Sequence, residues 1–237
     1  MILEADNIKI DYFDRLLKSE IYNNKIAVSF TGGVDSSLLT YVLCESIMRK
    51  NMQSQIKVYC FNANNTRYEN ENYSKKPAQK CYDILVNMFP EIQFEGLHFY
   101  DYFVAYKQEK KLLLRETRKQ FKLDFDLDVV LLGTTRKPPE GQIEALDKLV
   151  NESPVLKERD YSIIQHNNLK KNREPFRIVD KSYLYKIYKQ FNLLESLYPY
   201  TVSCTRLRDG GVTPCQICYW CLEKKWGFGS YDGGIVG

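Results

Sequence analysis

The chain has 237 residues, a formal charge of +4, 44% hydrophobic residues and seven cysteines. That length suits one α/β domain with a small appendage, and so mild a positive excess does not by itself argue for nucleic acid. No apolar run is long enough to span a bilayer and no signal-peptide core opens the chain, so the sequence reads as a cytoplasmic protein whose cysteines serve as thiols or metal ligands rather than disulfides.

Residues 11–21 have the pattern of a leading helix, closed by Asn23-Asn24. Ile26-Ala27-Val28-Ser29-Phe30 follows, a β-branched and apolar run that predicts a buried strand. Leu38, Leu39, Val42, Leu43 and Ile47 recur at helical spacing and predict a helix over 36–49, with Asp35 or Ser36 capping its first turn. Between strand and helix stands Thr31-Gly32-Gly33-Val34-Asp35-Ser36-Ser37. Its two glycines are expected to take positive φ and to leave no Cβ in the way of a ligand. Backbone N–H groups converging in such a turn, backed by a helix dipole, make a phosphate cradle.

A second strand is predicted at 56–61, with Asn62-Ala63-Asn64-Asn65 as a turn at its carboxyl end. Those asparagines are placed either to contact adenosine or to form a solvated polar loop. Residues 76–89 read as a crossover helix, 92–97 as a third strand, and 101–121 as a long basic helix. The run from Lys107 to Lys111 on that helix is a solvated face or an acidic-ligand site. Residues 127–133 form the clearest remaining buried strand, ending in Gly133-Thr134-Thr135. From 136 to 175 prolines and polar residues break the pattern, which reads as a long excursion, mobile or turned toward substrate. Val179-Asp180-Lys181-Ser182 then leads into a helix over 183–191. Strands alternating with helices predict a doubly wound parallel sheet.

Near the end stand Cys204, Cys215, Cys218 and Cys221, four of the seven cysteines. Thiolates spaced by two residues can wrap one tetrahedral ion, and four of them leave no open position, so a metal here holds structure. Zinc and an iron–sulfur cluster both take four thiolates, and the spacing leaves both open. Cys44, Cys60 and Cys81 fall on helix or strand positions and read as small core residues.

The glycine turn lacks the lysine of a Walker A loop and the third glycine of a dinucleotide fingerprint. Thr31-Gly32-Gly33-Val34-Asp35-Ser36 instead resembles the Ser-Gly-Gly-x-Asp-Ser signature of the PP-loop ATP pyrophosphatase superfamily, with Thr31 for the first serine. With the cysteine cluster, the chain resembles the 7-cyano-7-deazaguanine synthases of queuosine biosynthesis over about residues 25–230. Val179-Asp180-Lys181-Ser182 matches the lysine segment of that family, and Cys215-Gln-Ile-Cys218-Tyr-Trp-Cys221 matches its Cys-Gly-x-Cys-x-x-Cys ending with Gln216 for the glycine. The departures fall at Asn62–Asn65 and after Gly133, where the family shapes its substrate pocket.

The resemblance implies a doubly wound α/β fold of the adenine nucleotide alpha hydrolase (HUP) type over 1–195 and a zinc-binding C-terminal segment over 196–237. It implies ATP held by Ser29, Thr31, Gly32, Gly33, Val34, Asp35, Ser36 and Ser37, with Phe61, Asn62 and Gly133 at neighbouring strand ends. Asp35, Ser36 and Lys181 would be the catalytic residues, Mg²⁺ would bridge the phosphates, and Zn²⁺ would sit on Cys204, Cys215, Cys218 and Cys221. The implied enzyme is a C–N ligase that adenylates 7-carboxy-7-deazaguanine and aminates it with ammonia to the amide or nitrile. It would work as a homodimer, with no membrane and no direct nucleic-acid contact. A PP-loop enzyme that thiolates tRNA, a divergent member acting on another nucleobase or a protein, and a non-catalytic zinc-stabilised module are the rival readings. His98 and His166, the two histidines, offer no assignable general base and read as structural or exposed.

Overall fold

A computed structural model describes residues 3–5, 8–10, 24–65, 75–102, 110–152, 174–205, 208 and 213–234. Two short strands, β1 (Leu3–Ala5) and β2 (Ile8–Ile10), pair antiparallel. The main sheet has four parallel strands: β3 (Lys25–Ser29), β4 (Lys57–Asn65), β5 (Gln93–Tyr102) and β6 (Val129–Leu132), in the order β5-β4-β3-β6. The chain runs outward from β3 to β5 and then crosses back to lay β6 against the free side of β3. The reversal leaves a crevice at the carboxyl ends of β3 and β6, the place where open α/β sheets bind ligands.

The sheet is covered on both faces, as a parallel sheet must be. Ile26 and Val28 of β3 point into the larger core, with helix α1 (Val34–Arg49) and helix α2 (Lys75–Met88). Ala27 faces the other way, into an aromatic cluster built by Tyr59, Phe61 and Phe121, the last from helix α3 (Lys110–Asp124). Such alternation is the two-residue period of a strand. The doubly wound α/β architecture read from the sequence is the one the chain adopts.

Several boundaries differ from the sequence reading. Asn62–Asn65 is not a turn: β4 continues through it, pairing in register with Phe99–Tyr102 of β5. A one-residue irregularity between Val58 and Cys60 is taken up by Gly96, at φ +108°. Because β5 runs on to Tyr102, the basic helix starts at Lys110 rather than near 101. The excursion at 136–175 contains helix α4 (Glu144–Glu152). Helix α5 (Lys181–Gln190) starts two residues before its expected position, because Asp180 caps it by accepting from the N–H groups of Ser182 (3.1 Å) and Tyr183 (3.3 Å). Among the described residues the short helix α6 (Leu193–Ser196) and helix α7 (Tyr219–Phe228) follow, with 3-10 turns at Tyr198–Tyr200 and Asp232–Gly234. The expected leading helix over 11–21, His166 and most of the Lys107–Lys111 run lie outside the described residues.

Candidate active site and cysteine cluster

The glycine turn leaves the end of the central strand. Phe30 N–H donates to Phe61 carbonyl at 2.7 Å, extending the β3–β4 ladder to the lip of the sheet. Gly32 takes φ +73°, and a Cβ there would fall 2.5 Å from Ala78 backbone nitrogen, so α2 packs directly on the turn. Gly33 does not take positive φ: at φ −81° it is the extended N-cap of α1. Neither Asp35 nor Ser36 supplies a side-chain cap to that helix. Ser36 instead closes the loop on itself: its hydroxyl accepts from Thr31 N–H (3.1 Å), lies 3.2 Å from Thr31 Oγ1 and donates to Gly33 carbonyl (3.3 Å). The first turn of α1 therefore presents N–H groups and partial positive charge at the crevice.

The other residues read as nucleotide-binding gather at this end of the sheet, in different ways. Ser29 is the last residue of β3, paired with Phe61 and Leu132. The Phe61 ring is turned to the opposite face, stacked on Phe121 at 4.8 Å. Asn62 is buried; its amide donates to Phe30 carbonyl at 3.0 Å, while its Oδ1 has no hydrogen-bond partner. Ser37 is fully buried, and its hydroxyl faces the Cys81 thiol. Gly133, the residue after β6, packs against α1, where a Cβ would sit 2.9 Å from Ser36 nitrogen.

Lys181, the first residue of α5, brings charge to the loop from the far side. Its ammonium donates to both carboxylate oxygens of Asp35 and lies 3.8 Å from Glu223 Oε2. The Lys181 side chain is 1% exposed, Glu223 0% and Asp35 21%, so only Asp35 opens to solvent. Tyr188, a later residue of α5, donates from its hydroxyl to Val34 carbonyl at 2.9 Å and anchors the start of α1; burial pushes its pKa well up. Glu223 was not singled out in the sequence, where a glutamate two residues after the last cysteine has the look of a solvated helix face.

His98 is no candidate base. It lies in the aromatic cluster, 4.5 Å from the Phe125 ring centroid, with Nε2 3.1 Å from Glu95 carbonyl oxygen.

The segment leading to the cysteines is stitched to the glycine turn, Val202 N–H donating to Gly32 carbonyl at 2.9 Å. Asp232 accepts from the N–H groups of Ser203 (2.9 Å) and Cys204 (2.7 Å). Fully buried Lys224 reaches Asp232 (2.5 Å) and Thr201 carbonyl (3.0 Å), with its ammonium 4.6 Å from the centre of the Tyr198 ring. Burial pulls the Lys224 pKa down, against the opposing pull of Asp232.

Cys204, Cys215, Cys218 and Cys221 are all buried, and their sulfurs lie within 4.8 Å of one another. Cys215 N–H donates to Cys204 sulfur and Cys218 N–H to Cys215 sulfur, each at 3.3 Å. Hydrogen bonds from the neighbouring Cys204 and Cys221 thiols hold the Cys218 pKa far below the ordinary thiol range. Trp220 packs against the cluster. Zinc–thiolate bonds of ~2.3 Å in a tetrahedron put sulfurs ~3.8 Å apart, and Cys215 and Cys221 stand 3.9 Å apart. The set fits one tetrahedral ion. The outer thiolates of a four-iron cube straddle the whole cluster and stand farther apart than these. Gln216, inside the Cys215–Cys218 turn, takes φ +62°, where the resembling family places glycine.

No protein-family model and no curated protein matches the chain. Among solved structures it is similar to the U34-tRNA thiolase NcsA from Methanococcus maripaludis, described with its 4Fe-4S cluster. The identity there is 16%, over 80% of this chain and 66% of the thiolase, with a TM-score of 0.46. It is also similar to an NAD+ synthetase from Burkholderia pseudomallei, at 10% identity over 92% of this chain and 77% of that one, with a TM-score of 0.37. This chain therefore spans about two thirds of the length of the thiolase.

Proposed function

We propose that this chain is an ATP-using enzyme of the PP-loop pyrophosphatase kind, which splits ATP into AMP and pyrophosphate through an adenylated substrate. The observation that carries the reading is the ion pair of Lys181 and Asp35 at the mouth of the glycine turn. Backbone N–H groups of 31–37 would hold the phosphates, and the Lys181 ammonium would pass from Asp35 to the oxygens of the departing pyrophosphate. Asp35, the exposed member of the pair, is the residue to hold Mg²⁺, which when bound neutralises phosphate charge.

The finer reading rests on the sequence resemblance. The carboxylate of 7-carboxy-7-deazaguanine attacks the α-phosphorus and pyrophosphate leaves; ammonia then displaces AMP to give the amide. A second ATP adenylates the amide oxygen with release of pyrophosphate, and loss of both N–H protons and of AMP leaves the nitrile. The buried four-thiol set supports Zn²⁺ as a structural ion. Work in the cytoplasm and as a homodimer belongs to this reading through the sequence resemblance; the cysteines form no disulfide and no described helix is long and apolar enough to cross a membrane.

A second reading, sulfur transfer to tRNA, is favoured by the bond from Val202 to Gly32, which hangs the thiol cluster from the nucleotide loop. The compact sulfurs weigh against it, since a sulfur-handling cluster needs more room. One assay separates the readings. Purified protein is mixed with Mg·ATP, ammonium and 7-carboxy-7-deazaguanine, and the products are read by mass spectrometry. AMP with the amide or nitrile is expected from colourless protein carrying one zinc. Unchanged deazaguanine with no AMP above the substrate-free control overturns the ligase, and a brown, oxygen-sensitive protein favours thiolation.

A further inference from the structure

Tyr219, Glu223 and Gly227 stand four apart on α7 and so stack on one helix face; Glu223 and Gly227 meet Lys181 of α5, and Tyr219 packs on Leu146 of α4. Gly227 lets the helices touch: a Cβ there would fall 2.3 Å from Lys181 Cβ. One turn earlier Glu223, fully buried, directs Oε2 toward the Lys181 ammonium at 3.8 Å. One turn before that, the Tyr219 hydroxyl donates to Glu223 Oε1 at 3.2 Å and fixes the carboxylate in place. Lys224, the neighbouring cation on α7, is turned away to Asp232. Lys181 is therefore flanked by two carboxylates of different character, Asp35 open to solvent and Glu223 sealed inside.

Stability does not explain such a placement, because a buried carboxylate beside a lysine is no better than a packed apolar pair. Charge geometry does. With Asp35 alone, Lys181 would sit in a closed one-to-one ion pair and neither partner would be released to the nucleotide. A second carboxylate behind the ammonium keeps it anchored at the crevice after its bond to Asp35 opens. We propose that Glu223 is a positioning residue of the nucleotide site, holding the Lys181 ammonium as Asp35 lets it go. The inference rests on the reading of this crevice as an ATP site, and it ties the cysteine-bearing helix to the chemistry.

The test is a double-mutant cycle in steady-state AMP formation, using Glu223→Gln, Lys181→Met and both together, in zinc-loaded protein with active-site titration. Glu223→Gln should lower kcat about tenfold, the scale of a lost oriented charge contact. KM for ATP should hold or fall, because one buried negative charge has been removed near the phosphates. In the Lys181→Met background Glu223→Gln should change nothing further. Tyr219→Phe, which keeps the charge but frees the carboxylate, should lower kcat about threefold by the same route, and carries the test should Glu223→Gln fail to fold. An equal proportional loss with and without Lys181, or an unchanged kcat in Glu223→Gln or Tyr219→Phe, overturns the proposal. Wild-type protein that makes no AMP overturns the ATP reading itself, and the inference with it.

Discussion

The N–H of Val202 donates to the carbonyl of Gly32 at 2.9 Å, so the glycine turn and the segment entering the cysteine cluster share one backbone hydrogen bond. Two residues later Cys204 supplies a sulfur to the four-thiol set. The loop that would hold phosphate is thereby continuous with the structure that would hold metal.

Loss of one thiol should therefore reach the nucleotide. Cys218→Ser is expected to remove bound metal, measured by elemental analysis, and to weaken Mg·ATP binding in the same preparation. Cys44→Ser, altering a buried thiol away from the cluster, should leave the metal content at the wild-type value.

Gly227→Ala should separate α7 from α5. The new methyl would meet Lys181 Cβ and its carbonyl carbon, at 2.3 and 2.7 Å, and backbone cannot yield as a flexible side chain would. Overpacking of this kind costs about 1–3 kcal/mol, to be read as a lowered urea midpoint, and it should slow AMP formation because the atoms displaced belong to Lys181.

Gln216→Gly should act in the opposite direction. At φ +62° the glutamine occupies the left-handed region, which disfavours residues with a Cβ. Relief of that strain, less the extra freedom glycine gives the unfolded chain, is expected to raise stability by about 0.5–1 kcal/mol, seen as a higher urea midpoint at constant slope.

Alkaline pH should destabilise the fold through its buried thiols and phenols. Burial pushes the Cys81 thiol from 9.0 up to about 11. Between these values the unfolded chain has released a proton that the native chain still holds, so stability falls as pH rises. The same holds for Tyr82, raised from 10.0 to about 12 by burial. Urea midpoints should be level up to pH 9 and decline from there toward pH 11. A midpoint that rose over this range would contradict the burial of Cys81.

The central strand, α1 and the glycine turn are legible in the sequence because local signals agree there: β-branched residues in a strand, helical spacing, and glycines where a ligand approaches. The strand beyond Asn62 is not, since Asn-Ala-Asn-Asn favours turns in isolation and is held extended only by its pairing with Phe99–Tyr102. Asp35 and Lys181 are each readable as charged residues of interest, but their pairing joins positions 146 apart and needs the fold. Glu223 escapes for the same reason: only the close approach at Gly227 turns that face of α7 inward. The first glycine's positive φ follows from its sequence; that the second is extended depends on where α1 begins.

Trp220 and Trp226 are the only tryptophans in the chain, and both lie on α7. Light absorbed at the red edge of the protein spectrum is therefore collected almost wholly by the helix that joins the thiol cluster to Lys181. Emission from the unmodified protein becomes a private record of that helix, in which metal loss beside Trp220 can be followed in real time without an attached dye.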